Sequence, residues 1–184
     1  EMGYKGDKKI FSPTKCGKWK FCDEKDLRAI IGEKKADIKI SVMADAERTD
    51  YHTDILPKSK SVIDCVRVAC YINQIPTAID MLKDATDKGY ETMLQLMAVS
   101  VVSESDLQDA LAIAATSPAR GVYLVDSFGA LYSEQVRHLT AMYLKAMEGT
   151  GKDVGFHAHN NRQLAFANTI EALIMGANRL DATI

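Results

Sequence analysis

An α/β fold built on a parallel sheet is what this sequence of 184 residues predicts, on three observations. Strand-like and helix-like patterns alternate, most strand starts lying roughly 24–32 residues apart, the length of a βα unit. Several strand segments, MLQLMAV and VYLV among them, are near-continuous apolar runs, as parallel strands with helices on one side require. No Gly-rich phosphate loop follows any strand, which argues against a nucleotide-binding Rossmann unit. Strand segments are expected over residues 1–4, 38–44, 61–69, 92–99, 121–125, 153–159 and 179–183. Such repetition builds either an open doubly wound sheet or a closed barrel. The expectation is a TIM (β/α)8 barrel, here truncated, with the first βα unit and the last helix missing, because eight units usually take about 250 residues. Residues 1–184 then form a single partial barrel domain.

Taken in order, residues 1–4 read as a strand, and KGDKKIFSPTKCGKWK, one Trp among cations, reads as a βα loop. Asp23 opens a short helix carrying Leu27, Ile30 and Ile31. Residues 45–59 are polar, contain Pro57, and predict an irregular loop with at most a short helix. Ile75, Ala78, Ile79, Leu82 and Ala85 form an apolar stripe at helical spacing, with Pro76 early and Gly89 at the stop. Ser103 begins a Ser-x-x-Asp box ahead of Leu107, Ala110, Leu111 and Ala114. Ser133 precedes the stripe of Val136, Leu139, Thr140, Tyr143, Leu144 and Met147. Phe166, Ile170, Leu173 and Ile174 repeat the pattern, and Gly176 closes that helix.

Composition narrows the function classes. The chain is 47% hydrophobic and 26% charged with a formal net charge of -2, enough for one sizeable core. That balance gives no electrostatic case for nucleic acid or an anionic membrane. No apolar run approaches the ~20 residues of a membrane-spanning helix, and nothing reads as a signal peptide. The first residue is Glu1 rather than Met, as in a fragment. Cys16, Cys22, Cys65 and Cys70 lack the CxxC spacing of structural zinc sites. Reduced thiols in a cytoplasmic protein are expected, with a Cys16–Cys22 disulfide as the lesser alternative.

The chemistry concentrates in DVGFHAHNN, residues 153–161. Val154, Phe156 and Ala158 alternate with Gly155, His157 and His159, so both imidazoles leave one face of a strand. Two neutral imidazoles about 6–7 Å apart along a strand can share one metal ion. Asn160 and Asn161 follow at once, placing the pair at the C-terminal end of a strand, where barrels carry their chemistry. A bare HxH pair is a weak signal, and a hydrogen-bonded loop histidine is the plainer account. Asp126 and Ser127 follow another strand, Asp45 a third, while Glu1 and Arg67 lie in strand segments. Unpaired buried charge is too costly to be filler. Asp126 fits a turn cap as well as a site group, and Arg67 an ion pair with an inward carboxylate as well as a ligand contact. His138 falls off its helix stripe and reads as solvated, and His52 belongs to the irregular loop.

GFHAHNNRQLAFANTIEALIMGANRLDATI resembles the seventh-strand segment of the metal-dependent pyruvate aldolases, the 4-hydroxy-2-oxovalerate aldolases. These share a TIM-barrel metallolyase superfamily with hydroxymethylglutaryl-CoA lyase and isopropylmalate synthase. VYLVDSFGALYSEQVRHL is similar to the sixth-strand segment, RVACYINQ to the fourth and EMGYKG to the second. The resemblance implies His157 and His159 as metal ligands and Ser127 as a contact to the substrate carboxylate. It implies Asp126 and Glu1 as catalytic polar groups of the lyase branch; Arg67 stands as a candidate substrate contact and Asn160 as support behind the ligands. The implied cofactor is a divalent metal, Mn²⁺ first, with Mg²⁺, Co²⁺ and Zn²⁺ as alternatives that ligand type does not separate.

The implied reaction is aldol cleavage of a small-molecule 4-hydroxy-2-oxo acid to pyruvate and an aldehyde, with the cation as Lewis acid. The family's Arg-Asp-Gly motif, source of a further ligand, occurs nowhere in this sequence, so weak metal binding and negligible turnover are expected of the chain by itself. An acetyl-CoA-dependent acyl transferase using the same metal site is the second enzyme reading, and a non-catalytic barrel-derived binding module the third. Unpaired strand edges would invite a homo-oligomer, and an aldehyde dehydrogenase is a partner by resemblance only.

Overall fold

The computed structural model describes residues 1–35 and 37–182. Among them six strands run β1 (Ser41–Asp45), β2 (Cys65–Cys70), β3 (Glu91–Leu96), β4 (Gly121–Asp126), β5 (Asp153–Ala158) and β6 (Arg179–Leu180). Six helices intervene: α1 (Glu24–Ile31), α2 (Tyr51–Asp54), α3 (Ile75–Asp87), α4 (Glu104–Thr116), α5 (Ser133–Met147) and α6 (Ala165–Met175). The strands pair in sequence order, β1 to β6, every pair parallel. This is the α/β architecture of a partial TIM barrel, as the sequence predicts.

Two faces of the sheet do different work. Val66, Val68, Leu94, Leu96, Val122, Leu124 and Phe156 point outward into one apolar core with Ala78, Met81, Leu82, Leu107, Leu111 and Tyr143 of the helices. The inner face carries a smaller cluster of Cys65, Met93, Tyr123 and Val125. Both faces are apolar, which is why the strand sequences read as continuous hydrophobic runs. Gly155 makes the inner cluster possible, since a Cβ there would stand 2.5 Å from the Tyr123 ring.

The chain departs from expectation at its edges. Residues 1–4 lie beside β1 but form only an isolated parallel bridge, Tyr4 with Met43. Met2 N donates to Ser41 O at 2.9 Å, Met43 N to Gly3 O at 2.8 Å and Lys5 N to Met43 O at 2.8 Å, while Tyr4 N, on the segment's other edge, donates to Trp19 O at 2.8 Å. The returning loop therefore bonds along the edge of the segment that faces away from β1. Its approach is close: a Cβ on Gly3 would meet Trp19 O at 2.2 Å. The expected last strand is present at Arg179–Leu180, and Thr183 lies outside the described residues.

Helix α3 begins with Pro76 in its first turn and α4 with the expected box, Ser103 Oγ accepting from Asp106 N at 3.1 Å. The polar stretch 45–59 holds only the four-residue α2 and the start of a 3-10 turn. All four cysteines are free thiols, and burial pushes those of Cys65 and Cys70 up to about 12. Among the described residues no helix is long and apolar enough to cross a membrane.

Helix α6 forms where predicted but is rotated. It buries Asn168 and Ala172, while Phe166 is 79% exposed and Ile174 72%. Asn168 Nδ2 donates to Leu131 O at 2.8 Å, so the side of α6 that meets the start of α5 is the one carrying Asn168. The stripe of Phe166, Ile170, Leu173 and Ile174 consequently faces outward.

Candidate metal centre

The alternation in DVGFHA sets the site, because β5 pairs Val125 with His157 in register and so puts His157 on the inner face above Tyr123 and Val125. His159 stands one step beyond the strand, on the same side. The two rings meet edge to face with centroids 5.1 Å apart. Paired imidazoles on one face supply two donors of the kind a divalent cation takes. Among the described residues no group of three His, Cys, Asp or Glu side chains stands close enough to hold a cation. The fit is to two ligands of a centre rather than a whole cage.

Beneath the rings lies a charged chain. His157 Nδ1 stands 2.6 Å from Asp181 Oδ2, and Arg67 donates to that same oxygen. The other terminal nitrogen of Arg67 donates to Glu1 Oε2 at 2.9 Å, and its guanidinium lies 4.8 Å from the centre of the Tyr123 ring. Burial would raise the Asp181 carboxyl, yet the His157 ring and the Arg67 guanidinium hold it below the ordinary carboxylate value. Burial likewise pushes the Tyr123 hydroxyl up to about 12.

The sequence-derived candidates fall into two groups. His157, Arg67 and Glu1 converge, through Asp181, on one cluster. Asp126, 1% exposed, instead accepts from Ala130 N at 3.0 Å and Leu131 N at 3.2 Å, which builds the turn between β4 and α5. Ser127 Oγ accepts from Ala98 N at 2.9 Å, holding Ala98 in a left-handed conformation at φ 56°. Asn160 Oδ1 accepts from Ala165 N at 3.1 Å, at the first turn of α6. Asp45 is half-buried, 4.0 Å from Lys20. His138 pairs with Glu104 on the surface and His52 with Asp84, away from the cluster.

Asp181 was not among those candidates. A charge in or at the end of a strand, the feature that marks Arg67 and Asp126, also marks Asp181 in NRLDAT, and it is the signal in the sequence for this residue.

The chain matches the HMGL-like family over residues 19–184. It is 31% identical over 126 residues to the 4-hydroxy-2-oxovalerate aldolase of Geobacillus thermodenitrificans, covering 68% of this chain and 36% of that protein. With the oxaloacetate decarboxylase of Mycobacterium tuberculosis it shares 32% identity over 123 residues, 66% of this chain and 35% of that one. The chain thus spans about a third of the length of these relatives. Among solved structures, the N-terminal domain of a candidate aldolase from Bacteroides vulgatus superposes with a TM-score of 0.79 at 25% identity, over 100% of this chain and 60% of that one. The HMG-CoA lyase of Brucella melitensis shares the fold, with a TM-score of 0.68 at 15% identity over 89% of this chain and 62% of that one.

Proposed function

This chain belongs to the HMGL-like family, and from that premise we propose that the whole protein is a metal-dependent carbon–carbon lyase cleaving a 4-hydroxy-2-oxo acid to pyruvate and an aldehyde. One observation carries the reading: His157 and His159 meet at 5.1 Å on the inner face of the sheet. They would hold a divalent cation, Mn²⁺ first, which when bound supplies Lewis-acid stabilisation of enolate charge. The names of the relatives support this, because aldol cleavage and loss of carbon dioxide from a 2-oxo acid both develop an enolate on the pyruvate portion.

The chain's own residues take narrower parts. Ser127 Oγ accepts from Ala98 N, so its hydroxyl proton remains to be donated to a substrate carboxylate. Asp126 spends its carboxylate on two backbone N–H groups and presents Ser127 by shaping the turn. Asn160 steadies the entry to α6 just past His159. The inner apolar cluster of Met93, Tyr123 and Val125 keeps water from beneath the rings. The aldehyde produced is of the class an aldehyde dehydrogenase consumes.

The test is calorimetric titration of Mn²⁺ into the whole protein, paired with pyruvate release from 4-hydroxy-2-oxo acids. His157→Ala and His159→Ala are expected to abolish both. Absent Mn²⁺ binding, or binding indifferent to both substitutions, would point to a non-catalytic barrel-derived module. Metal-dependent condensation with acetyl-CoA in place of pyruvate release would point to an acyl transferase.

A further inference from the structure

Asp181 Oδ2 receives two donors, the His157 ring at Nδ1 and the Arg67 guanidinium. A carboxylate paired with a guanidinium is ionised and only accepts hydrogen bonds. The imidazole must therefore present N–H at Nδ1, and of the two tautomers of the neutral ring only the one with the Nε2 lone pair free satisfies that. Arg67 is itself held, 8% exposed, by Glu1 at 2.9 Å and by the Tyr123 ring at 4.8 Å. Gly155 is what allows that ring its place, with no Cβ to strike it. Residues from the first segment, β2, β4 and the position just past β6 thus converge on one side of a single ring on β5.

We propose that Asp181 is a positioning residue that locks His157 in its Nδ1–H form with Nε2 bare for a cation, and that Arg67, braced by Glu1 and Tyr123, serves to hold Asp181. Arg67 and Glu1 then act through other side chains, and neither touches substrate. Two carboxylates flank the one guanidinium, so the brace presents a net negative charge to the Nδ1 side of the ring. Carboxylates behind metal-binding histidines tune such rings generally, and their loss typically costs about 10–100-fold in affinity. The proposal rests on the reading of His157 as a ligand, but the ring's tautomer is a property of the metal-free chain and can be read without that assumption.

The experiment is long-range proton–nitrogen correlation NMR on the ¹⁵N-histidine-labelled, metal-free 184-residue chain at pH 8. The wild type is expected to show His157 protonated at Nδ1 and bare at Nε2. Asp181→Asn, which retains an acceptor oxygen, keeps that tautomer, whereas Asp181→Leu releases the ring to a mixture. In parallel, Asp181→Leu weakens Mn²⁺ binding about 10–100-fold. Should Asp181→Leu fail to fold, Arg67→Met/Asp181→Leu removes both charges together and gives the same tautomer readout. A wild-type His157 protonated at Nε2, or a ring indifferent to the loss of Asp181, overturns the proposal. Absence of Mn²⁺ binding to the whole protein sinks the metal reading instead, and the tautomer result still decides the role of Asp181.

Discussion

A Cβ on Gly129 would stand 2.6 Å from the carbonyl oxygen of His159 and 2.6 Å from the amide nitrogen of Asn161. Gly129 also sits at φ +56°, so the turn after β4 and the loop after β5 touch backbone to backbone at a residue only glycine fills without strain. Gly129→Ala is expected to push the His159 loop aside, at a cost of about 1–3 kcal/mol. Thermal unfolding and Mn²⁺ titration check this against Gly17→Ala, where nothing lies within 4 Å and neither quantity should change.

Gly155→Ala addresses the floor rather than the rim. The new methyl would meet the Tyr123 ring at 2.5 Å, and the ring cannot move without releasing Arg67. A loss of about 1–3 kcal/mol is expected from overpacking, together with altered His157 ring signals in NMR. Unchanged His157 signals would mean that the ring and the guanidinium are not coupled.

Acid sensitivity should arise at the opposite end of the sheet, at Asp64. Burial pushes its carboxyl up, but the Lys34 ammonium, the Lys58 ammonium at 2.8 Å and the Ile40 N–H at 2.8 Å overrule that and hold it at about 2, against an ordinary value of 3.8. Because the folded value is the lower one, the stabilisation is complete above about pH 4 and drains away as the pH falls towards about 2. Its size is on the order of 1–2 kcal/mol. Asp64→Asn should flatten the stability–pH curve across that window, as urea unfolding at stepped pH would show.

Tyr143 offers a change in the favourable direction. The residue is fully buried, and its hydroxyl has no hydrogen-bond partner among the described residues. Tyr143→Phe removes an unpaired polar atom from the core, so stability should hold or rise by up to about 1 kcal/mol. A drop beyond about 1 kcal/mol in chemical denaturation would reveal a partner for that hydroxyl.

Sequence patterns foretold β2 to β5 and α3 to α5 because each carries its own signal, an apolar run or a one-sided stripe bounded by a cap. Residues 1–4 kept strand spacing but form only one bridge to β1, and their other edge meets the Trp19 carbonyl, a neighbour no local pattern reveals. Periodicity found α6 and not its orientation: the inward side carries Asn168 and Ala172, while Phe166, Ile170, Leu173 and Ile174 stay exposed. The histidine pair was readable because two-residue spacing fixes a shared face. Asp181 was not, because its partners lie 24 and 114 positions away in the chain. Arg67 makes an ion pair of the kind its place in the strand admits twice over, with Glu1 and with Asp181.

The sheet's unbroken sequence order, β1 through β6, carries a kinetic consequence. Each strand finds its neighbour across a single βα crossover rather than across the whole chain, so pairing can spread outward from one βαβ unit, one unit at a time. The link from Arg67 to Asp181 breaks that economy by joining positions 114 apart. It belongs to the closing moments of folding, and binding competence at His157 would therefore mature after the secondary structure is already in place.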